Sequence, residues 1–371
     1  MEYRLFGKTN EKVSSLGFGC MRFPTDANGN IAEKEAIDMI HYAIDNGVNY
    51  FDTAYFYHNG KSEELVGKAL AGDLRKKVFI ATKMPVALVK KEEDFDIFFN
   101  EQLRRLNTDY IDFYLLHALD KEGWKDVVIK YDFLSKIKNL KEKGLIKHIG
   151  FSFHDDLDTF KMIVDSFDEW EFCQIQLNYL DTEHQAGIEG LEYAYSKGLG
   201  VVIMEPLRGG KLANVPERVK EILPKDVSNV ECALDFLWDR KEVAVVLSGM
   251  SSFDQVKDNI VYANRASVGM MCHNTKNILE YAKEVYRKSA FVPCTACGYC
   301  MPCPMGIDIP KIYDIYNKTA LGRIKNIKEK EYILLDSKAD KCIKCGKCEN
   351  VCPQGIKATE FMPKIEEVFK D

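Results

Sequence analysis

Residues 32–53, AEKEAIDMIHYAIDNG followed directly by VNYFDT, decide the fold of this chain. In the first part apolar residues recur about every three to four positions, which is the period of a helix with one buried face. Gly47 then stands where the C-cap of a helix favours glycine. The second part is a short β-rich run. The stretch therefore predicts a helix that leads straight into a strand, as in the α/β folds.

The same alternation continues outward on both sides of this stretch, up to about residue 290. A second helical pattern, YDFLSKIKNLKEKG (131–144), also ends in a glycine suited to a C-cap. The candidate strands are LGFG (16–19), VNYFDT (48–53), VFIAT (78–82), YIDFYLLH (110–117), KHIGFS (147–152), FCQIQL (172–177), GVVIM (200–204) and VAVVLS (243–248). Eight strands with intervening helices over about 250 residues are the count and size of a (β/α)8 TIM barrel.

A doubly wound open sheet is the competing interpretation of this alternation. Such a sheet usually has a glycine-rich turn after its first strand. Here LGFGCMRFP (16–24) has a lone G-x-G with no helix behind it. The sequence therefore favours the closed barrel, an α/β fold.

The composition sets the class of protein. The 371 residues exceed the usual domain size of about 100–200, and 46% apolar and 29% charged residues are ordinary for a globular chain. The net charge of −6 argues against nucleic-acid binding through a basic surface. We find no secretory signal and no apolar run near the roughly 18 residues of a membrane span. We therefore expect a cytoplasmic protein with no nucleic-acid and no membrane partner.

The cysteines divide the chain. Eight of the 12 fall between Cys294 and Cys352, and the others (Cys20, Cys173, Cys232 and Cys272) are expected to be small buried apolar residues. A dense cluster without an export signal indicates metal or iron–sulfur binding rather than disulfides. We predict a barrel over residues 1–290 and a small iron–sulfur domain over 291–371.

The cysteines form two runs, CTACGYCMPCP (294–304) and CIKCGKCENVCP (342–353). The second run has the C-x₂-C-x₂-C-x₃-C-P spacing of bacterial ferredoxins, in which the fourth cysteine binds the other cluster. Structural zinc is the alternative, because four thiolates also suit a tetrahedral zinc site. Zinc sites normally separate two Cys-x₂-Cys pairs by a longer loop, whereas here three or four cysteines recur without a gap. The runs therefore favour two [4Fe–4S] clusters.

The tail resembles a two-[4Fe–4S] bacterial ferredoxin domain, which implies a small α+β fold. The resemblance implies one cluster bound by Cys294, Cys297, Cys300 and Cys352, and another bound by Cys342, Cys345, Cys348 and Cys303. The first run departs from the ferredoxin spacing by one residue before its last cysteine.

Four polar residues lie at or just after the ends of consecutive predicted strands: Asp52, Tyr57, Lys83 and His117. In a (β/α)8 barrel the carboxyl ends of the strands carry the catalytic residues. Each of the four could separately be a cap, a packing residue or a solvated side chain. Together, at successive strands, they predict a catalytic site.

The barrel resembles the aldo-keto reductase family over residues 1–265. The motifs that carry the resemblance are NYFDTAYFYHNGKSEELVGKAL (49–70), FIATKMP (79–85), DYIDFYLLH (109–117) and MEPLRGG (204–210). The resemblance implies that Tyr57 is the general acid that protonates a carbonyl oxygen as hydride arrives. It implies that Lys83, held by a salt bridge to Asp52, lowers the pKa of Tyr57. His117 would orient the carbonyl or share the proton transfer.

The resemblance also implies contacts to a nicotinamide nucleotide. The expected contacts are Ser152, Gln174, Met204, Pro206, Leu207, Gly209, Ser248, Gly249, Met250, Ser252, Gln255 and Asn259. Phe153 stands where the family commonly has asparagine, and Met204 where a stacking aromatic is common. Gly249 and Gln255 replace the Lys and Arg of many NADP-binding members, so NADP and NAD both stay open.

Three hypotheses of function follow. The first is a reductase that acts on a small-molecule carbonyl or alcohol with NAD(P)(H), with clusters that are structural or redox-sensing. The second is an electron-transfer enzyme whose clusters exchange electrons with a ferredoxin-like partner. A flavin at the phosphate loop after strands seven and eight would bridge one-electron and two-electron chemistry there. The third is a redox-sensing binding module, against which the four catalytic residues argue.

Overall fold

The computed structural model describes residues 1–289, 292–319 and 327–370. Its strands are β1 (Tyr3–Leu5), β2 (Lys12–Ser14), β3 (Leu16–Gly19), β4 (Tyr50–Asp52), β5 (Phe79–Met84), β6 (Ile111–Leu119), β7 (Ile146–Phe153), β8 (Phe172–Gln176), β9 (Gly200–Met204) and β10 (Val243–Ser248). Strands β3 to β10 close into a parallel barrel in the order β10-β3-β4-β5-β6-β7-β8-β9. The predicted fold class is therefore confirmed, and each of the eight predicted strands has its counterpart in the barrel.

Helices connect the barrel strands, as the sequence pattern predicts. They are Glu33–Asp45, Ser62–Ala69, Asp94–Leu106, Lys121–Gly123, Phe133–Glu142, Leu157–Asp165, Gly187–Ser196, Asn229–Trp238 and Phe253–Asn264. The helix Glu33–Asp45 buries Ala36, Met39, Ile40 and Ala43 at the predicted helical spacing. Gly47 follows it with a φ of +91°, a left-handed conformation that glycine adopts without strain. The β-rich run behind that glycine is β4.

An N-terminal hairpin that the sequence analysis did not predict precedes the barrel. Strands β1 and β2 pair antiparallel, with Arg4 opposite Val13. Phe6, in the turn between them, is fully buried, and its ring centroid lies 4.6 Å from that of Phe113 and 5.5 Å from that of Phe172. These two aromatic residues belong to β6 and β8. The hairpin therefore inserts an aromatic side chain among the inner residues of the barrel.

The chain packs as two compact units, and the second contains more than the cysteine-rich tail. The first comprises residues 1–206 and 231–272, and the second comprises 207–230 and 273–371. The segment 207–230 follows β9 directly, within the region that the sequence predicts to be barrel. The predicted domain boundary near residue 290 falls inside the second unit.

Helices and loops build the described part of the second unit. Its helices are Glu217–Lys220, His273–Ser289, Ile309–Lys318, Lys347–Asn350 and Ala358–Phe369. Its buried core includes Val292, Ile307, Ile312, Ile315, Met362, Ile365 and Phe369. Among its described residues there is no strand, so the β part of the expected α+β fold is not seen in them.

Cys20, Cys173 and Cys232 are buried as predicted, whereas Cys272 is exposed, so its predicted burial is wrong. Cys272 stands immediately before the helix His273–Ser289, in a loop rather than on a packed face.

Among the residues with described positions, no helix combines the length and apolar character that a membrane crossing requires.

Candidate active site and cluster sites

Strand register brings three of the four predicted catalytic residues to one end of the barrel. Asp52 of β4 is in register with Ala81 of β5, and Lys83 lies two residues further along β5. Lys83 is in turn in register with Leu115 of β6, and His117 lies two residues beyond it. Because side chains two apart on a strand share a face, Asp52, Lys83 and His117 face the same side. All three lie at the carboxyl ends of their strands, where barrel enzymes have their active sites.

Lys83 and Asp52 form a buried ion pair. Lys83 Nζ donates to Asp52 Oδ1 at 2.7 Å and to the carbonyl oxygen of Thr53 at 2.7 Å. The Lys83 side chain is completely buried, and that of Asp52 is 3% exposed. Burial raises the pKa of Asp52, and the charge of Lys83 opposes this rise. The predicted salt bridge between these residues is therefore present, with little access to water.

Tyr57 lies next to this pair, in the turn after β4. Lys83 Nζ is 5.1 Å from the centroid of the Tyr57 ring. The pKa of Tyr57 is raised well above its ordinary value, first by burial and then by the charge of Asp52. The charge of Arg22 lowers this pKa but does not outweigh burial. The expected net lowering of the Tyr57 pKa is thus wrong for the protein as the structure has it, because burial dominates.

His117 is held in its neutral form beside Tyr57. Its ring stacks on Phe56 with centroids 4.8 Å apart and an interplanar angle of 6°, and it meets the Tyr57 ring edge to face at 6.1 Å. Burial and then the charge of Lys83 lower the pKa of His117 well below its ordinary value. A neutral imidazole can donate one hydrogen bond and accept another. This favours an orienting role for His117 over the sharing of a proton.

A buried polar network supports the segment that carries Tyr57. Glu63 Oε1 accepts from Thr82 Oγ1 at 2.6 Å and from Gln102 Nε2 at 2.8 Å. Gln102 Nε2 also donates to the carbonyl oxygen of Lys83 at 3.0 Å. Arg105 donates to the carbonyl oxygen of Tyr55 at 2.9 Å. These bonds tie the helix Ser62–Ala69 to β5 and tie the loop before it to the helix Asp94–Leu106, and they explain why an acidic residue at position 63 is fully buried.

The residues expected to contact the nicotinamide lie on β7, β8 and β9. Ser152 Oγ accepts a hydrogen bond from the backbone nitrogen of Ala118 at 2.7 Å. Gln174 Nε2 lies 3.6 Å from Met204 Sδ, and Gln174 Oε1 is buried with no partner among the described residues. Phe153 is fully buried and packs against Phe160 at 5.1 Å. The orphaned amide oxygen of Gln174 fits the carboxamide NH₂ of a nicotinamide.

The expected phosphate loop follows β10. Ser248 Oγ and Asn259 Nδ2 form a buried hydrogen bond of 2.9 Å, which ties the strand to the helix Phe253–Asn264. Ser252 is the N-cap of that helix, and Gln255 Oε1 accepts from the backbone nitrogen of Ser251 at 2.8 Å. Met250 is buried. The amide of Gln255 therefore stabilises the loop itself, at the beginning of a helix whose N-terminus suits an anion.

Arg22 lies beside the loop that follows β10. It was not predicted from the sequence to be a site residue. A Cβ at Gly249 would lie 3.1 Å from Arg22 Cδ and 3.2 Å from its Cβ and Cγ. Gly249 therefore leaves room for the stem of Arg22. Within the described residues Arg22 makes no hydrogen bond and no ion pair, and its charge acts on Tyr57. Its position three residues after β3, in GCMRFP (19–24), was the signal available in the sequence.

Two of the expected nucleotide contacts belong to the second unit. Pro206 ends the first unit, whereas Leu207 and Gly209 begin the second. A Cβ at Gly209 would lie 1.7 Å from the carbonyl oxygen of Thr295. Lys211 Nζ pairs with Asp314 Oδ1 at 2.6 Å. The segment after β9 therefore packs on the loop between Cys294 and Cys297.

The eight clustered cysteines surround two cavities in the second unit. A cavity of about 390 Å³ is lined by Tyr313 and by Cys294, Cys297, Cys300, Cys348 and Cys352. A cavity of about 660 Å³ is lined by Cys300, Cys303, Cys342, Cys345 and Cys348. Over the described residues, no three Cys, His, Asp or Glu side chains converge on a point that would suit one metal ion. Cysteines spread around a cavity suit the corners of an iron–sulfur cluster.

Comparison with known proteins gives the family of each part. Residues 15–268 match the model of the Aldo/keto reductase family, and residues 293–357 match a 4Fe-4S dicluster domain. L-galactose dehydrogenase from Arabidopsis thaliana is 29% identical over 303 residues, which cover 73% of this chain and 91% of that protein. The chain therefore belongs to the aldo/keto reductase family and carries a fused 4Fe–4S domain, so both resemblances are confirmed.

Solved structures of similar proteins share the barrel fold. The holo form of aldo-keto reductase AKR11C1 from Bacillus halodurans is 28% identical and superposes with a TM-score of 0.63, covering 76% of this chain and 96% of that one. An aldo/keto reductase from Klebsiella pneumoniae, solved in complex with NADP and acetate, is 21% identical with a TM-score of 0.61. It covers 76% of this chain and 95% of that one.

Proposed function

We propose that this chain reduces the carbonyl group of a small molecule, or oxidises the matching alcohol, with NADP(H) or NAD(H) as the second substrate. One observation carries the proposal: the buried ion pair of Lys83 and Asp52 lies next to the Tyr57 ring, with the neutral His117 beside it. Burying a charged pair has a desolvation cost that its attraction barely offsets. Such a pair beside a phenol and a neutral imidazole is well suited to proton transfer.

The roles of the residues follow from their protonation states. A nicotinamide, when bound, supplies a hydride to the carbonyl carbon. Tyr57 gives its hydroxyl proton to the carbonyl oxygen, and the carbonyl group becomes an alcohol. The Tyr57 phenolate that remains later regains a proton from solvent. The Lys83 ammonium, 5.1 Å from the ring centroid, would offset part of the cost of forming a buried phenolate. His117 donates a hydrogen bond to the carbonyl oxygen and thereby orients it.

Residues of the first unit provide the nucleotide contacts in this proposal. The buried Gln174 Oε1 accepts from the carboxamide NH₂, beside Met204. Ser152, Pro206 and the loop from Ser248 to Asn259 complete the part of the family's set that lies in this unit. Arg22, along Gly249, supplies a cation for a phosphate group in place of the basic residues missing at positions 249 and 255.

The second unit would bind two [4Fe–4S] clusters, each able to store one electron. In this proposal Cys294, Cys297, Cys300 and Cys352 hold the first cluster, and Cys342, Cys345, Cys348 and Cys303 hold the second. The support is that each proposed set of four lines one of the two cavities. The protein is proposed to act in the cytoplasm.

Electron transfer between the clusters and the barrel substrate is the second candidate function. One observation favours it: residues 293–357 match a 4Fe-4S dicluster domain, and such clusters accept and donate single electrons. In this case a ferredoxin-like protein would supply or remove single electrons, and a flavin would be needed to convert them into a hydride.

An anaerobic visible spectrum of the purified full-length protein, recorded before and after addition of NADPH or NADH, separates the two candidates. Carbonyl reduction predicts nucleotide oxidation on adding an aldehyde, with the iron–sulfur absorption unchanged. Electron transfer predicts bleaching of that absorption by the nucleotide alone, and a flavin band would support it. Tyr57→Phe should abolish carbonyl reduction and leave the cluster absorption intact. Carbonyl reduction that survives this substitution would contradict the proposed role of Tyr57.

A further inference from the structure

Tyr313 has a buried hydroxyl group that no described residue satisfies. It lies in the helix Ile309–Lys318 and is 2% exposed. Its hydroxyl has no hydrogen-bond partner among the residues that the structure describes. A buried donor left without a partner has lost its hydrogen bond to water without replacement, so native proteins nearly always provide a partner.

The surroundings of Tyr313 indicate what satisfies this hydroxyl. The residue lines the cavity of about 390 Å³ together with Cys294, Cys297, Cys300 and Cys352. It does not line the second cavity. Its ring packs against Phe361 with centroids 6.3 Å apart, within the apolar core of the second unit. The ring is thus held in place, and the cavity beside it is the one proposed to contain the first cluster.

We propose that the Tyr313 hydroxyl donates a hydrogen bond to a sulfur of the [4Fe–4S] cluster held by Cys294, Cys297, Cys300 and Cys352, and so raises the reduction potential of that cluster. This inference rests on the proposed presence of the clusters. In this proposal Tyr313 changes the potential of the cluster and takes no part in the reaction at the carbonyl carbon.

The sign of the effect follows from charge. Reduction adds one electron to the cluster and makes its sulfur atoms more negative. A hydrogen bond to a more negative acceptor is stronger, so the hydroxyl stabilises the reduced state more than the oxidised state. Hydrogen bonds to sulfur are among the features by which proteins set cluster potentials. A tyrosine hydroxyl has an ordinary pKa of about 10, so it is protonated and able to donate at neutral pH.

The test is Tyr313→Phe in the full chain, studied anaerobically by a redox titration followed by electron paramagnetic resonance. This substitution keeps the ring and removes only the hydroxyl. We expect the potential of the first cluster to become more negative while that of the second stays unchanged. Cys297→Ser, which changes a ligand of the first cluster alone, assigns the two signals. Tyr316→Phe on the same helix is the control, and should change neither potential.

Two outcomes would overturn the inference. One is a Tyr313→Phe protein that contains both clusters and has unchanged potentials. The other comes from replacing Tyr313 by 3-fluorotyrosine, which keeps the ring and has a more acidic hydroxyl that donates a stronger hydrogen bond. This replacement should make the reduction potential of the first cluster more positive. An unchanged or more negative potential contradicts the proposed bond. The 3-fluorotyrosine protein also tests the proposed hydrogen bond if the Tyr313→Phe variant fails to fold. Wild-type protein without any cluster signal would instead contradict the proposed cluster content.

Discussion

Lys83 Nζ lies 2.7 Å from Asp52 Oδ1, and both side chains are almost wholly excluded from water. A buried ion pair is weak evidence for stability, because desolvation of two charges consumes most of the Coulombic gain. Lys83 also donates to the carbonyl oxygen of Thr53, so the ammonium is fixed in direction as well as in charge. The pair is therefore better explained by its position beside Tyr57 than by its contribution to folding.

Lys83→Met should lower the free energy of unfolding by about 3–5 kcal/mol at neutral pH, since it leaves the Asp52 carboxylate buried without a counter-charge. Burial raises the pKa of Asp52, and loss of Lys83 removes the main opposing effect, so this pKa rises further. The loss of stability is complete at a pH above the raised pKa of Asp52. It is relieved as the pH falls towards the ordinary pKa of an aspartate, because the Asp52 carboxyl group then becomes neutral. Urea unfolding at several pH values measures this.

The double variant Lys83→Met/Asp52→Asn separates stability from chemistry. It replaces both charges by neutral groups of similar size. We expect it to recover most of the stability lost by Lys83→Met and to remain inactive in carbonyl reduction. If the double variant were as unstable as the single one, an uncompensated Asp52 charge would not be the cause of the loss.

The pH profile of carbonyl reduction should lack an inflection near the ordinary pKa of histidine, about 6.5. Reduction needs Tyr57 protonated and His117 neutral. The raised pKa of Tyr57 keeps its proton on through the neutral range, and the lowered pKa of His117 keeps that ring neutral down to acidic pH. The maximal rate should therefore be flat from about one pH unit below 6.5 up to about pH 9. An inflection near 6.5 that disappears in His117→Gln would contradict the neutral state of His117.

The barrel was predictable from sequence because its signals are local. The β-rich runs and the helical spacing over 32–47 depend on neighbours in the chain, so β3, β9 and β10 have the predicted bounds. The three-residue strands of the N-terminal hairpin are too short to give a periodic pattern. The direction of the Tyr57 pKa shift was predicted wrongly, because it depends on burial depth, which side-chain identity does not reveal. Arg22 was missed for a similar reason. It follows β3 and lies against Gly249, which follows β10, and a contact between segments so far apart in the chain is not visible in the sequence.

Arg22→Met should weaken binding of NADPH about 10-fold to 100-fold, as expected for the loss of a charge-assisted bond worth about 1.5–3 kcal/mol. Isothermal titration with the full-length protein measures this. Arg22→Lys, which keeps the charge but not the planar fork, should lose less. If nucleotide affinity is unchanged while KM for an acidic carbonyl substrate rises, Arg22 binds the substrate instead. No change in either constant would contradict an anion-binding role.

Gly209→Ala should disturb the cysteine loop of the second unit. Gly209 has a φ of +63°, and a Cβ there would lie 1.7 Å from the carbonyl oxygen of Thr295. Backbone cannot give way as a flexible side chain can, so the loop between Cys294 and Cys297 must shift. Gly210→Ala is a matched control, because Gly210 has a φ of +90° with nothing within 4 Å of its Cβ position.

Both substitutions strain a left-handed backbone position, at a cost of about 1–2 kcal/mol, so only the clash distinguishes them. We expect Gly209→Ala to contain roughly half the iron of Gly210→Ala per chain and to unfold at a lower temperature. Iron analysis and thermal unfolding under anaerobic conditions measure both effects. Equal iron content in the two variants would show that the packing of residue 209 on Thr295 is not needed for cluster binding.

The assignment of cysteines to clusters gives the last prediction. In the proposed arrangement the fourth cysteine of each run binds the cluster of the other run, whereas a sequential arrangement would give each run its own cluster. Cys348 and Cys300 line both cavities, but Cys352 lines only the smaller cavity and Cys303 only the larger. Cys352→Ser should therefore disturb the same cluster as Cys297→Ser, and Cys303→Ser the same cluster as Cys345→Ser.

Electron paramagnetic resonance of the reduced variants can distinguish the two arrangements, because each serine changes the signal of one cluster. Matching spectral changes for Cys352→Ser and Cys297→Ser require ligands that cross between the runs. If Cys352→Ser instead matches Cys345→Ser, the runs bind their clusters sequentially. Tyr313 would then lie beside a cluster whose fourth ligand is Cys303, although Cys303 does not line the cavity of Tyr313. The crossed arrangement avoids this conflict, because all four of its first-cluster cysteines line that cavity.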